Sequence, residues 1–323
     1  MDADVVDFGT GAPVAGDLPG AWIHGSLPGR RNTDPSIQVH AYDRHTFVLR
    51  QSKAVHYEAP FLFLFCGNDR ALLLDTGATA DPERFPLRQT VDGILSDWLA
   101  DHPRPGYELV VAHTHAHGDH VAGDPQFADR PATTVVGTDV AAVQAFFGFR
   151  AWPAEVVRFD LGGRVLEITG CPGHHPTSIA VYDPWSGFLV TGDTVCRGRL
   201  YVQDFPVFAE SLDRLVAFAA ARPVSHVLGC HIEMTRTPGR DYPLGATYQP
   251  DEPPLQLTTD QLAAVRTASA AVTDRPGVHV YDDFIIYHGR SGAALRRMLA
   301  RALWGRLRNR IAGYLTRPRR RGA

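Results

Sequence analysis

The stretch His113-Thr-His-Ala-His-Gly-Asp-His120 places four histidines and one aspartate within eight residues. That is more metal-ligating capacity than packing alone requires. Imidazole and carboxylate together suit zinc, iron or manganese, and histidines two positions apart cannot share one helix face. The stretch therefore predicts a loop folded around an ion, with a strand on its N-terminal side (Leu109 to Ala112) to deliver it.

Working outward, His115, His117, Asp119 and His120 form a His-x-His-x-Asp-His pattern. Upstream, Ala71-Leu-Leu-Leu-Asp75-Thr-Gly77 reads as an apolar strand ending in an Asp-Thr-Gly turn. Downstream come Cys171-Pro-Gly-His174, then Val190-Thr-Gly-Asp193-Thr194, then Val227-Leu-Gly-Cys-His231, each following an apolar run. In this order, over about residues 36 to 231, the chain resembles the metallo-β-lactamase superfamily. The resemblance implies an α/β fold, the αββα sandwich of two mixed β-sheets flanked by helices. It also implies one metal held by His115, His117 and His174, a second held by Asp119, His120 and His231, and Asp193 bridging the two. The Asp75 turn would buttress the metal loop. The implied cofactors are two Zn2+ ions, with Mn2+ or Fe2+ as alternatives. Outside this set, His113 is expected to make a buried hydrogen bond behind the loop, and His175 has no assigned role.

The remaining composition is that of an ordinary globular protein: 323 residues, 44 % hydrophobic and 10 % aromatic. No stretch approaches the roughly 20 apolar residues of a membrane span, and Met1-Asp-Ala-Asp lacks the basic start of a secretory signal. A cytoplasmic protein is expected. The four cysteines, at 66, 171, 196 and 230, show no Cys-x-x-Cys spacing, so neither a disulfide framework nor a structural zinc finger is indicated. Cys171 and Cys230 read as small core residues beside ligands. Charge is divided unevenly: the net balance is −3, yet residues 290 to 323 carry eleven arginines and no acid. Lys53 is the only lysine.

Three segments are expected along the chain: an irregular extension over 1–35, the sandwich domain over 36–290, and a basic helix and tail over 291–323. Apolar or alternating runs predict strands at 37–42, 46–49, 61–65, 72–74, 109–112, 133–136, 165–168, 179–182, 188–190 and 226–228, with a late strand pair within 278–287. Helical spacing predicts helices over 87–101, 139–147, 209–221 and 260–272. The Pro-rich stretch between Glu233 and Leu257, with Arg236, Arg240, Tyr242 and Tyr248, is a candidate substrate-facing cap. In the tail, leucines recur every fourth residue among arginines, which makes it a candidate for peripheral membrane contact. An acidic body of this length gives no expectation of nucleic acid as a partner.

The resemblance implies a binuclear hydrolase of a carboxylic ester, thioester or lactone, with Asp119 as the catalytic carboxylate and a small molecule as substrate. Asp193 at the bridging position argues against β-lactam hydrolysis, and the lysine-free segment after His231 offers no evident match for residues that hold glutathione carboxylates. The runner-up is a mononuclear iron oxygenase similar to the persulfide dioxygenases, followed by a β-lactamase or phosphodiesterase of the same fold.

Overall fold

The computed structural model describes residues 5–9, 11–27 and 31–289, with Arg296 and Ala300 beyond them. The basic helix and tail expected over 291–323 thus fall, but for those two residues, outside the described residues.

The first sheet is built from β1 (Ile37–Ala41), β2 (Thr46–Gln51), β3 (Phe61–Cys66) and β4 (Arg70–Leu74). After helix α1 (Leu87–Asp101) it continues with β5 (Glu108–Ala112), the short helix α2 (Gly118–Val121) and β6 (Thr133–Val135). Its order is β1-β2-β3-β4-β5-β6; the meander β1 to β4 is antiparallel, and β5 and β6 are added in parallel. Helix α3 (Val140–Phe147) leads into the second sheet, made of β7 (Val156–Asp160), β8 (Val165–Gly170), β9 (Ile179–Asp183) and β10 (Phe188–Gly192). Then follow β11 (Arg199–Val202), α4 (Phe205–Ala220), β12 (His226–Gly229), β13 (Gln256–Leu257), α5 (Thr259–Ala271), β14 (Gly277–Val280) and β15 (Ile285–His288). The second sheet has the order β13-β12-β10-β9-β8-β7. A three-stranded sheet, β11-β15-β14, is an addition to the two expected ones.

Period-two alternation explains the layering. In β3 (FLFLFC), Phe61, Phe63 and Phe65 face the second sheet, where they meet Leu166, Ile168, Ile179, Val181, Phe188 and Val190 in one buried cluster. The alternate residues Leu62, Leu64 and Cys66 face outward onto Leu87, Val91, Leu95 and Trp98 of α1. On the other side, Ala180, Tyr182, Leu189 and Val227 cover α4 and α5 through Phe208, Leu212, Leu215, Leu262 and Val265. The result is four layers, helix, sheet, sheet, helix.

Three sequence expectations are refined. Helix α4 begins at Phe205, upstream of the expected 209, because Pro206 is tolerated in a first turn and the Asp204 carboxylate caps it by accepting from Val207 N. Strands β7, β11 and β13 join the sheets without having been expected. Among the described residues ahead of β1, in contrast, the expected extension is tied down: Phe8, Leu18 and Trp22 are buried, and Trp22 packs edge-on against Phe61.

Candidate metal centre

Each motif ends a strand at the same end of the sandwich. Strand β4 gives way to Asp75, which takes a left-handed conformation (φ +71°) and turns its carboxylate into the interior. There it accepts from Thr114 N (2.7 Å), Thr114 Oγ1 (2.8 Å), His120 Nδ1 (2.9 Å) and the Cys230 thiol (3.3 Å). The turn therefore fixes both ends of the histidine loop. The Pro-Gly-His turn after β8 lies so close to α4 that a Cβ on Gly173 would fall 2.4 Å from the backbone of Phe208. Gly192, at φ +56°, ends β10 after a register shift and delivers Asp193.

Two groups of donor atoms result. In the first, His115 Nε2, His117 Nδ1 and His174 Nε2 lie 2.9, 3.0 and 3.3 Å from one another. Nitrogens around one tetrahedral zinc, at about 2.0–2.1 Å from it, would be about 3.3 Å apart. In the second, His231 Nε2 is 3.2 Å from Asp119 Oδ2 and 3.4 Å from His120 Nε2, and His120 Nε2 is 3.5 Å from Asp119 Oδ2. Asp193 Oδ2 stands between the groups, 4.0 and 3.8 Å from His115 and His174 and 3.7 and 3.5 Å from His120 and His231. Its other oxygen, Oδ1, is buried with no hydrogen-bond partner among the described residues. A buried carboxylate oxygen left without a donor, beside imidazole nitrogens that face one another, fits a site made for cations. All seven residues expected to ligate metal are brought together, and the donor set fits two divalent ions.

The outward ring nitrogens are held individually. His174 Nδ1 donates to Tyr201 O (2.8 Å) and His231 Nδ1 to Glu58 O (3.2 Å), which leaves each Nε2 facing inward. His115 Nδ1 meets Thr114 Oγ1 at 3.2 Å, and His117 Nε2 meets the Gln203 amide at 3.2 Å. His113 Nε2 bonds Asp124 Oδ1 at 2.8 Å behind the loop, as expected. His175 packs edge-on against the ring of His117, with its Nδ1 on Thr177 Oγ1, while Thr177 Oγ1 accepts from Ala116 N. Cys171 and Cys230 are fully buried, in keeping with their reading as core residues.

The electrostatics of the two groups differ. Burial, followed by the charge of His120, holds His115 well below the usual imidazole range; burial also lowers His117 and His174. In the second group burial is outweighed. Asp75 and Asp193 carry His120 well above its usual range, Asp193 and Asp119 carry His231 up to about 9, and His231 and His120 bring Asp119 down to about 2. Protons on His120 and His231 thus balance the carboxylates where a divalent cation would otherwise do so.

The stretch between Glu233 and Leu257 is anchored by buried ion pairs. Arg50 forks onto Glu252, and Arg199 binds Glu233 and Asp241. The segment also meets the N-terminal extension, where Gln249 N donates to His24 O. Arg236 remains at the surface, loosely paired with Asp251 at 3.9 Å. No helix among the described residues is long and apolar enough to cross a membrane.

Comparison with known proteins agrees with this geometry. A hydroxyacylglutathione hydrolase of Synechococcus sp. (strain JA-2-3B'a(2-13)) is 33 % identical over 184 residues, 53 % of this chain and 68 % of that one. A hydroxyacylglutathione hydrolase of Rhizobium meliloti (strain 1021) is 28 % identical over 166 residues, and the match spans 60 % of its length. The solved structure of TMB-1 shares the fold at 16 % identity and a TM-score of 0.50, covering 74 % of this chain and 100 % of that one. The profile of one family matches residues 59–272, which include every donor described above, and the chain belongs to that family, the metallo-beta-lactamase superfamily.

Proposed function

We propose that this chain is a binuclear metal-dependent hydrolase of carboxylic esters, thioesters or lactones. The observation that carries the reading is the convergence of seven donor residues on two points that share Asp193 Oδ2. Two divalent ions, zinc foremost, supply when bound a water acidified to near neutral pH and a Lewis acid for the acyl oxygen. Asp119 is the more exposed of the two carboxylates, at 21 % of its side chain against 14 % for Asp193. It is therefore the group placed to orient the attacking water and to take up its proton. Asp193, with Oδ1 unpartnered, serves as the fixed acceptor between the groups.

The names of the curated relatives favour a thioester of glutathione. The ion pairs of this chain favour a leaving group with less negative charge. Arg50 and Arg199 are turned onto Glu252 and onto Glu233 and Asp241, so their charges are neutralised internally rather than offered to the carboxylates of a tripeptide. The substrate we favour is thus a small ester, lactone or simple thioester.

Metal content per chain, by plasma mass spectrometry on protein purified without chelator, tests the first half of the reading. Two ions are expected; one iron per chain together with oxygen uptake on a persulfide would replace it with the oxygenase. A panel containing a hydroxyacyl-glutathione, simple thioesters, esters and lactones tests the second half. Asp119→Ala should lower kcat by roughly a hundred- to ten-thousandfold with the far-UV spectrum unchanged. Full retained activity would remove Asp119 from the mechanism.

A further inference from the structure

The supports behind the ligand histidines are not alike. His174, His231 and His120 lean on backbone carbonyls or on the buried Asp75, and His115 on the buried Thr114 hydroxyl. His117 alone among the five turns Nε2 outward, and what faces it is the side-chain amide of the exposed Gln203, placed with its Nε2 at 3.2 Å. The backbone of Gln203 is itself held firmly: Gln203 N and Asp204 N both donate to Gly173 O, at 2.8 and 3.0 Å, within the turn that carries His174. Two residues earlier, Tyr201 O accepts the His174 Nδ1 proton. The three residues at the end of β11 and just beyond it thus support two of the three histidines of the first group.

We propose that Gln203 is a positioning residue for His117 and sets how tightly the first ligand group holds its ion; this rests on the two-metal reading. An imidazole that gives its Nδ1 lone pair to a cation keeps its proton on Nε2, and that proton needs an acceptor. The Gln203 amide presents Oε1 at this point after a half turn about its last bond, a rotation that exchanges two groups of equal size. The bond then fixes the ring plane of His117 and makes Nδ1 a stronger donor. Nothing comparable links Gln203 to the second group, so its effect is confined to one ion.

The test is a competition titration of zinc against a chromophoric chelator, using the full chain and its Gln203→Ala and Gln203→Glu variants. Cobalt-substituted absorption spectra serve as a second readout. Gln203→Ala should weaken one of the two ions by roughly 10- to 100-fold, leave the other unchanged and shift the cobalt bands. Gln203→Glu retains an acceptor and should hold both ions at least as tightly as the wild type. Unaltered affinities in Gln203→Ala, equal weakening of both ions, or failure of Gln203→Glu to restore binding would each overturn the assignment. A wild-type chain that binds no zinc would instead overturn the two-metal reading itself, so the two failures are distinguishable.

Discussion

At the end of the sandwich away from the histidines, Arg164 is buried with all five of its N–H donors used. Asp183 takes two of them (3.1 and 2.5 Å), and His45 O, Cys66 O and Thr46 Oγ1 take the others. Asp183 accepts further bonds from Ser186 N and Ser186 Oγ. At the histidine end the reverse holds: Asp193 Oδ1 has no donor, and ring nitrogens face ring nitrogens. Both clusters are buried and polar, so burial does not separate a structural device from a ligand site. Saturation does. A cluster whose hydrogen-bonding capacity is filled by the protein holds two sheets together, and one whose acceptors converge without donors is completed by something else.

The largest effect expected from this contrast is on stability, at the far end. Arg164→Met leaves the Asp183 carboxylate buried without its counter-charge and should destabilise the fold by about 3–5 kcal/mol. Denaturant titration would measure this, and metal content per folded chain should stay at the wild-type value. Loss of metal without loss of stability would break the division between the two ends.

A smaller effect concerns acid. Burial, then the charge of Arg164, holds the His45 imidazole down to about 4, and its Nδ1 accepts from Trp98 Nε1 at 3.0 Å. Unfolded, the same ring takes a proton near 6.5, so between these values the unfolded chain binds more protons. The contribution of His45 is therefore fully present above about pH 6.5 and is lost as pH falls toward 4, by at most about 1.4 kcal/mol per pH unit. Chelator-treated wild type and His45→Gln, melted across this range, should converge at low pH. A constant difference between them would show that His45 does not titrate in that window.

How much of this was legible in the sequence follows from the same distinction. Side chains that act through their own chemistry were legible: the seven histidines and aspartates that converge, the Asp75 turn, and the apolar run that became β3. Partners defined only by tertiary approach were not. The carbonyls of Tyr201 and Glu58 hold His174 and His231, yet any residue type supplies a carbonyl, so no residue-type signal marks the position. Gln203 was missed because β11 was missed, although its sheet partners β14 and β15 were expected as a late strand pair; an Arg-Leu-Tyr-Val run is too short for its periodicity to be distinctive. The burial of Phe8, Leu18 and Trp22 was hidden for another reason, since isolated apolar residues in a Gly- and Pro-rich stretch carry no period.

The smallest predicted effect tests the contrast inside the histidine end itself. Asp75, His120 and Cys230 also form a compact group of potential ligand atoms, and it shares His120 with the second donor group. By saturation it is structural, because Asp75 already accepts four bonds and the His120 nitrogen it uses is Nδ1, the one turned away from Asp193. Burial, then the neighbouring charge of Asp75, pushes the Cys230 thiol up, so it keeps its proton and donates rather than ligating as a thiolate. Cys230→Ala removes one weak donor of four. It should cost about 1 kcal/mol or less, leave two ions per chain, and change turnover by no more than about threefold, since 0.6 kcal/mol corresponds to that factor. Metal analysis of this variant is the decisive readout: loss of an ion would make Cys230 a ligand and Asp75 part of a coordination sphere. An unchanged count would mean that the four bonds to Asp75 fix the His120 ring, and through it the second group, without the thiol touching the ion.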